Sequence, residues 1–223
     1  MQFKIVHNRI GSDIWANTRL RIIKKILKCK NKLILDLGCG KGYVGIEFQK
    51  ENKVIFADID KGLLKNIRGI KILVNAAKLP FKKSIFDYVI CADVLEHIEK
   101  DEQALQEIYR VLKPRGKAII ALPAYSCLYG HHDKLIGHYR RYDRVKFIEV
   151  AEKIGFKVRY SRYSLSLLFF PFLFNQIVTK SNKAYIGKSR IEKKLIPILS
   201  LISWIESSVR LPFGINLLFV LEK

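Results

Sequence analysis

Acidic residues are scarce in this chain: 20 Asp and Glu stand against 41 Lys and Arg among 223 residues, a formal charge of +21. A partner met by diffusion is therefore an anion before it is a cation, and RNA, DNA, an acidic lipid surface and a phosphorylated small molecule all qualify. Cysteine is sparse too. Cys29, Cys39, Cys91 and Cys127 include no CxxC pair and lie too far apart for a disulfide framework or a zinc clip. That excludes a stapled secreted domain, points to a reduced, cytoplasmic compartment, and leaves no metal site to predict. No run reaches the roughly 20 apolar residues of a spanning helix, and the opening MQFKIVHNRIGSDIW lacks a secretory apolar region, so neither export nor bilayer crossing is expected. Internal repeats are absent. Apolar residues are not: at 49% they can bury a sizeable core, which excludes a disordered chain.

The order of elements follows from hydrophobic period. Ser12 and Asp13 are placed to cap a helix whose apolar positions include Leu20, Ile22, Ile23, Ile26 and Leu27. From Lys32 strands alternate with helices: LILDL at 33–37, VIFAD at 54–58, IKILVN at 70–75, FDYVICA at 86–92 and KAIIAL at 117–122. This alternation predicts a parallel sheet with right-handed crossovers. A helix is expected from Asp101 to about Leu112, terminated by KPRG, and another from an Asp143 cap to about Ile154, before the strand FKVRY. The last third is different. LSLLFFPFLFNQIV at 165–178 and LIPILSLISWI at 195–205 flank a basic linker, and INLLFVLEK closes the chain. The predicted division is a basic helical leader at 1–30, a core at 31–163 with a loop at 123–142, a helical apolar insertion at 164–213, and a final core strand at 214–223.

The run LDLGCGKGYVG places Asp36 two residues before the first of several glycines, where a strand enters a helix. Glycines there let backbone approach a ligand, and the helix start offers unpaired N–H groups. Gly40, Gly42 and Gly45 satisfy GxGxxG, with Asp58 near the distance at which a carboxylate holds ribose hydroxyls. That match by itself is weak. The longer pattern is specific: LDLGCGKG, then ADID, then AAKLPFKKSIFDYVICADVLEHIEKDEQALQEIYRVLKPRGKAIIALP resembles the class I S-adenosylmethionine-dependent methyltransferases of the type 11 branch over about residues 31–124.

The resemblance implies a Rossmann-like α/β fold with a seven-stranded, mostly parallel sheet and flanking helices, and S-adenosyl-L-methionine as cofactor with S-adenosyl-L-homocysteine as product. Carried over by position, Asp36, Gly38, Cys39, Gly40 and Gly42 form the loop under the methionine and ribose. Asp58 accepts both ribose hydroxyls, Ile59 touches the adenine face, and Asn75 with Ala76 lies near the adenine amino group. The family usually has Asp at position 75, and Thr or Ser at position 41, where this chain has Lys. Asp93 borders the methyl-transfer end. Glu96 and His97 are read as a helix-start pair ahead of direct catalysis. Neither Cys39 nor Cys91 follows a proline, and Asp93 is followed by Val94 and Leu95, so the hallmarks of cytosine-C5 and of amino-methylating nucleic-acid enzymes are both missing.

Ligands bind beyond the carboxyl ends of strands in open α/β sheets, which places PAYSCLYGHHDKLIGHYRRYDR over the methyl group. His132, Asp133 and His138 are the candidate bases for a hydroxyl acceptor. Tyr125, Tyr129, Arg140, Arg141 and Tyr142 are candidate acceptor contacts, the two arginines through planar forks that suit phosphate or carboxylate. The basic excess and the apolar segments leave two placements open, a packed lid or a peripheral contact with an anionic membrane. The expected function is methyl transfer to oxygen or nitrogen of a small or lipid-linked anionic acceptor at the inner membrane face. The alternatives are an RNA methyltransferase, with RNA as partner, and a catalytically silent binding module of the same fold.

Overall fold

The computed structural model describes residues 10–166, 169–174, 204–206 and 208–223. Seven strands, β1 (Leu33–Leu37), β2 (Lys53–Asp58), β3 (Ile70–Leu73), β4 (Phe86–Ala92), β5 (Leu112–Pro123), β6 (Lys157–Ser164) and β7 (Asn216–Glu222), form one sheet in the order β3-β2-β1-β4-β5-β7-β6. β1 to β5 pair in parallel, and β7 runs antiparallel to β5 and β6. The expected seven-stranded, mostly parallel Rossmann-like sheet is present. Chain order reverses between β1 and β4, so the crevice beyond their carboxyl ends is where such a sheet binds its ligand.

Both faces of the sheet are covered. On one, Leu35, Val89, Cys91, Ile120 and Phe219 pack under α4 (Asp101–Val111) and α6 (Arg144–Ile154), which contribute Leu105, Ile108, Phe147 and Ala151. On the other, Ile34, Phe56, Ile90 and Ile119 meet Ile22 and Ile23 of α1 (Ile10–Ile26). Adjacent residues of β1, Ile34 and Leu35, therefore serve opposite cores, as the two-residue period of a strand requires. Three further short helices sit in the connections: α2 (Gly45–Phe48) and α3 (Lys61–Leu64) follow β1 and β2, and α5 (His131–Leu135) follows β5.

Several expected boundaries move. α1 already includes Ser12 and Asp13, which therefore do not cap it. β5 starts at Leu112, which pairs with Phe86, and KPRG is a register shift within the strand rather than a spacer before it. Asp143 stands before α6, but its carboxylate accepts from the Ser126 amide at 3.0 Å and the Ser126 hydroxyl at 2.6 Å instead of capping that helix. Of the apolar insertion expected at 164–213, a short helix α7 (Phe169–Phe174) and parts of 204–213 are described, and the rest lies outside the described residues. Buried Arg162 ties this region to β6 by donating to the carbonyls of Glu206 at 2.8 Å and Val209 at 2.7 Å. Among the described residues no helix is long and apolar enough to cross a membrane.

Candidate functional site

The loop after β1 is shaped by backbone sign. Gly38, Gly40 and Gly42 all have positive φ, at 66°, 55° and 79°. At Gly38 the need for glycine is double, because a Cβ would lie 2.2 Å from Cγ2 of Val94. Below the loop, Asp36 Oδ2 accepts the amide of Gly45, the first residue of α2, at 3.0 Å. Burial, with repulsion from Asp58 adding to it, lifts the Asp36 carboxyl to about 7 against the pull of the Gly45 amide. Cys39 lies half-buried in the loop, its thiol pushed up by burial, and Cys91 is fully buried in β4.

Asp58 ends β2, and its carboxylate organises the same loop. Oδ2 accepts the Gly40 amide at 2.8 Å and Oδ1 the Asp60 amide at 2.9 Å. A carboxylate has about four lone-pair positions, so these two bonds aim the group and leave acceptor capacity for ribose hydroxyls. Ile59 beside it is 74% exposed, an apolar side chain held out in the crevice as a flat ring would use it. Asn75 spends one lone pair on the Ala77 amide at 2.9 Å, closing a local turn in which Ala76 is buried. Its amide oxygen keeps a second. The glycine-rich loop and the aimed carboxylate fit an adenosine-bearing cofactor.

At the other end of the crevice, Asp93 follows β4 with φ 56° and pairs with the Arg19 guanidinium of α1. The sequence reading did not include Arg19; a lone arginine on a basic helix carries no signal. The 3-10 turn Leu95–His97 brings Glu96 beside Asp93, and Glu96 is 1% exposed. Burial first, and then the Asp93 charge, push the Glu96 carboxyl well above its usual range. Among the described residues, Asp93 Oδ1 and Glu96 Oε2 are buried without hydrogen-bond partners.

The 137–142 segment is sewn to this turn. The Tyr139 amide donates to the Glu96 carbonyl at 2.7 Å, and His97 Nδ1 lies 3.1 Å from the Gly137 carbonyl. Arg140 donates to Asp101 Oδ1 at 2.6 Å and to the Glu99 carbonyl at 2.7 Å, and the Tyr142 hydroxyl donates to Asp101 Oδ2 at 2.8 Å. These contacts correct the acceptor-loop reading. Tyr142 and Arg141 are buried, and Arg141 Nε meets both oxygens of Asp133 at 2.9 Å, so neither offers a fork or hydroxyl to a ligand. Arg140 is committed to Asp101, at the edge of a cleft of about 220 Å³ bordered by Leu95, Ser126 and Phe147.

Asp133 is likewise not an accessible base. It is fully buried, accepts from the Gly130 amide at 3.0 Å, and lies 3.0 Å from His138 Nδ1. His138 and Arg141 outweigh its burial and hold its carboxyl at about 2. His138 is thus oriented by Asp133, and its Nε2 faces Glu96 Oε1 at 3.9 Å. His132 sits half-buried on α5 and does not join the grouping of Glu96, His97 and His138. Of the two tyrosines before α5, Tyr129 is exposed and donates to the His138 carbonyl at 2.9 Å. Tyr125 stacks on Tyr163 at 5.4 Å, and burial raises its phenol to about 12.

Comparison with known proteins agrees with this geometry. The methyltransferase domain family matches residues 35–120. An uncharacterized protein of Methanocaldococcus jannaschii is 35% identical over 155 residues, covering 69% of this chain and 66% of that one. The human mitochondrial arginine-hydroxylase NDUFAF5 is 38% identical over 104 residues, covering 44% and 30%. The chain thus spans about two thirds of the first relative and less than a third of the second. Haemonchus contortus phosphoethanolamine N-methyltransferase 2, solved with S-adenosyl-L-methionine, shares the fold with a TM-score of 0.63 at 19% identity, covering 100% of this chain and 60% of that one. Residues 35–120 are thus a methyltransferase domain of the type 11 branch of the class I S-adenosylmethionine-dependent methyltransferases, a domain whose cofactor is S-adenosylmethionine.

Proposed function

We propose that this chain methylates an oxygen or nitrogen of a small or lipid-linked anionic acceptor, working at the inner face of a membrane. The observation that carries the methyl-transfer reading is the pair of carboxylates at opposite ends of one crevice. Asp58 is aimed by the Gly40 and Asp60 amides, and Asp93 keeps a buried oxygen without a partner among the described residues. Bound cofactor supplies a methyl group already activated by sulfonium charge. The protein's share is alignment and, for a hydroxyl acceptor, removal of a proton. Of the three candidate bases, His138 fits best: Asp133 fixes Nδ1 as the donor, so the basic nitrogen is the Nε2 that faces Glu96.

The acceptor class draws support from the charge of +21 and from Phe170, Trp204, Ile205 and Val209, large apolar side chains exposed in the last third of the chain. Apolar side chains beside a basic surface suit an anionic lipid interface. Calorimetric titration with S-adenosylhomocysteine, with NADH as control, tests the cofactor half, and micromolar binding of the former alone is expected. Flotation with anionic vesicles at low salt tests the membrane half. Tight, salt-sensitive RNA binding without vesicle binding would favour the RNA reading instead. The arginine-hydroxylase relative is a reminder that the fold alone does not fix the reaction, so turnover with radiolabelled methyl donor is the deciding assay.

A further inference from the structure

We propose that Glu96, His97 and His138 form a site for one divalent first-row cation of the Mn2+, Fe2+, Co2+ or Zn2+ type, next to Asp93 at the methyl-transfer end of the crevice. One ligating atom from each of the three lies within 4.8 Å of the others. Two ligands on one such ion are separated by about 3 to 3.5 Å, given bonds of roughly 2.1 Å. Side-chain movements on the order of 1 Å would complete the set. Two imidazoles and a carboxylate suit these metals better than Mg2+ or Ca2+, which prefer all-oxygen shells.

The surroundings of the two rings have the form that metal-binding histidines require. His97 Nδ1 faces the Gly137 carbonyl, and His138 Nδ1 faces Asp133, whose two oxygens both accept from Arg141 Nε. Neither acceptor can donate, so each neutral ring carries its proton on Nδ1 and its lone pair on Nε2. For His138 that lone pair is the one turned toward Glu96. Both rings are therefore set in tautomer and in angle before any ion arrives.

Glu96 supplies the independent observation. It is 1% exposed, and its Oε2 has no hydrogen-bond partner among the described residues. A buried polar atom left so is costly unless something occupies the space beside it. Among the described residues, the carboxyl groups of Glu96, Asp93 and Asp133 meet the guanidiniums of Arg19 and Arg141 here, an acid-rich setting that a cation suits. The sequence hid this arrangement because Glu96 and His97 read as the start of a helix, while His138 lies 41 positions further on. Their meeting depends on Tyr139 pairing with the Glu96 carbonyl.

What the cation would do there rests on the methyltransferase reading. With three protein ligands, coordination positions remain for an acceptor oxygen; a bound hydroxyl would ionise nearer neutral pH and release its proton to solvent, so that in the metal-loaded protein His138 would be a ligand in place of the base.

The test uses the full chain stripped with chelator. Titration with Mn2+, followed by the paramagnetic resonance of unbound ion, should show one site per chain, displaced by Zn2+. Co2+ loaded at one equivalent should give an absorption spectrum of mixed nitrogen and oxygen ligation. Glu96→Gln and His138→Asn should each weaken Mn2+ binding at least tenfold. Binding of S-adenosylhomocysteine, measured alongside, reports whether each variant is folded. No site tighter than millimolar for Mn2+, Co2+ or Zn2+, or unchanged binding by a folded Glu96→Gln variant, would overturn the proposal. If both variants unfold, the wild-type Co2+ spectrum decides, since a spectrum without nitrogen ligation rejects the site. Metal binding without S-adenosylhomocysteine binding would instead reject the methyltransferase reading and leave the metal site standing.

Discussion

Asp36 Oδ2 accepts the Gly45 amide at 3.0 Å, so one buried carboxylate joins the end of β1 to the first residue of α2 across the whole glycine loop. Burial raises its pKa from the ordinary 3.8 to about 7. Between these two values the folded chain holds the proton and the unfolded chain does not, so stability falls as pH rises from about 4 to 7 and is level above. Asp36→Asn keeps an oxygen for Gly45 and removes the ionisation. Melting curves at pH 5 and pH 8 should show the wild type losing more stability between them than the variant; equal losses would mean that Asp36 ionises without cost.

Gly38 is the loop position with least tolerance. Gly38→Ala adds a methyl 2.2 Å from Val94 Cγ2 at a φ of 66°, so the clash and the backbone conformation both resist it. We expect at least a tenfold loss of S-adenosylhomocysteine affinity by calorimetry. Adding Val94→Ala removes the two γ-methyl contacts, leaving the Cβ of residue 94 at 3.1 Å, and should restore only part of the affinity, because the left-handed conformation still costs about 1 to 2 kcal/mol for a residue with a Cβ. Full recovery in the double variant would assign the whole effect to packing.

The parts of the molecule that the sequence announced are those written in neighbouring residues. β1, β2 and β4 are short apolar runs, and Asp36, Asp58 and Asp93 stand on or just past their carboxyl ends, where the strand pattern places them. The acceptor loop was misjudged for the opposite reason. A string as polar as HHDKLIGHYRRY looks solvated, yet its polarity is internal: Asp133, Arg141 and Tyr142 satisfy one another or Asp101 and are buried. Partners so far apart in the chain leave no periodic trace. Asp143 shows the same limit at short range, since its place before α6 predicted a cap while Ser126, seventeen residues earlier, took its oxygens.

Asp58 serves loop and cofactor at once, which gives its substitutions distinct signatures. Asp58→Ala removes the acceptor for the Gly40 amide and the charged acceptor for ribose, at about 1.5 to 3 kcal/mol per charge-assisted bond. A loss of S-adenosylhomocysteine affinity of at least a hundredfold is expected. Asp58→Asn retains an acceptor of the same shape and should lose less. Unchanged affinity in Asp58→Ala would show that ribose does not bind at the end of β2.

Arg19 and Asp93 join α1 to the end of β4, and neither side chain is more than 35% exposed. Arg19→Ala should cost about 1 kcal/mol, discounted from the fully buried value for partial solvent access. The double variant with Asp93→Ala should cost less than the sum of the single ones, the mark of a direct pair. Strict additivity in urea titrations would show the contact to be incidental.

Asp133 separates a structural role from a catalytic one. Its carboxylate is enclosed by Arg141, His138 and the Gly130 amide, and breaking such a set from one side leaves the Arg141 charge buried without its counter-ion. Asp133→Ala is therefore expected to lower stability by about 3 kcal/mol, or about 6 to 12 °C in melting temperature for a chain of this size. The pH dependence has the opposite sign to that of Asp36. With a folded pKa near 2 against an ordinary 3.8, the contribution is complete above about pH 5 and is lost as pH falls toward 2. Replacing Asp133 and Arg141 together by Leu and Met should cost less than either single change, because no orphaned charge remains. Cofactor affinity should be unchanged in every folded variant, since Asp133 lies behind His138 and touches no part of the glycine loop. A variant of normal stability that binds S-adenosylhomocysteine normally and has lost turnover would return Asp133 to the catalytic group.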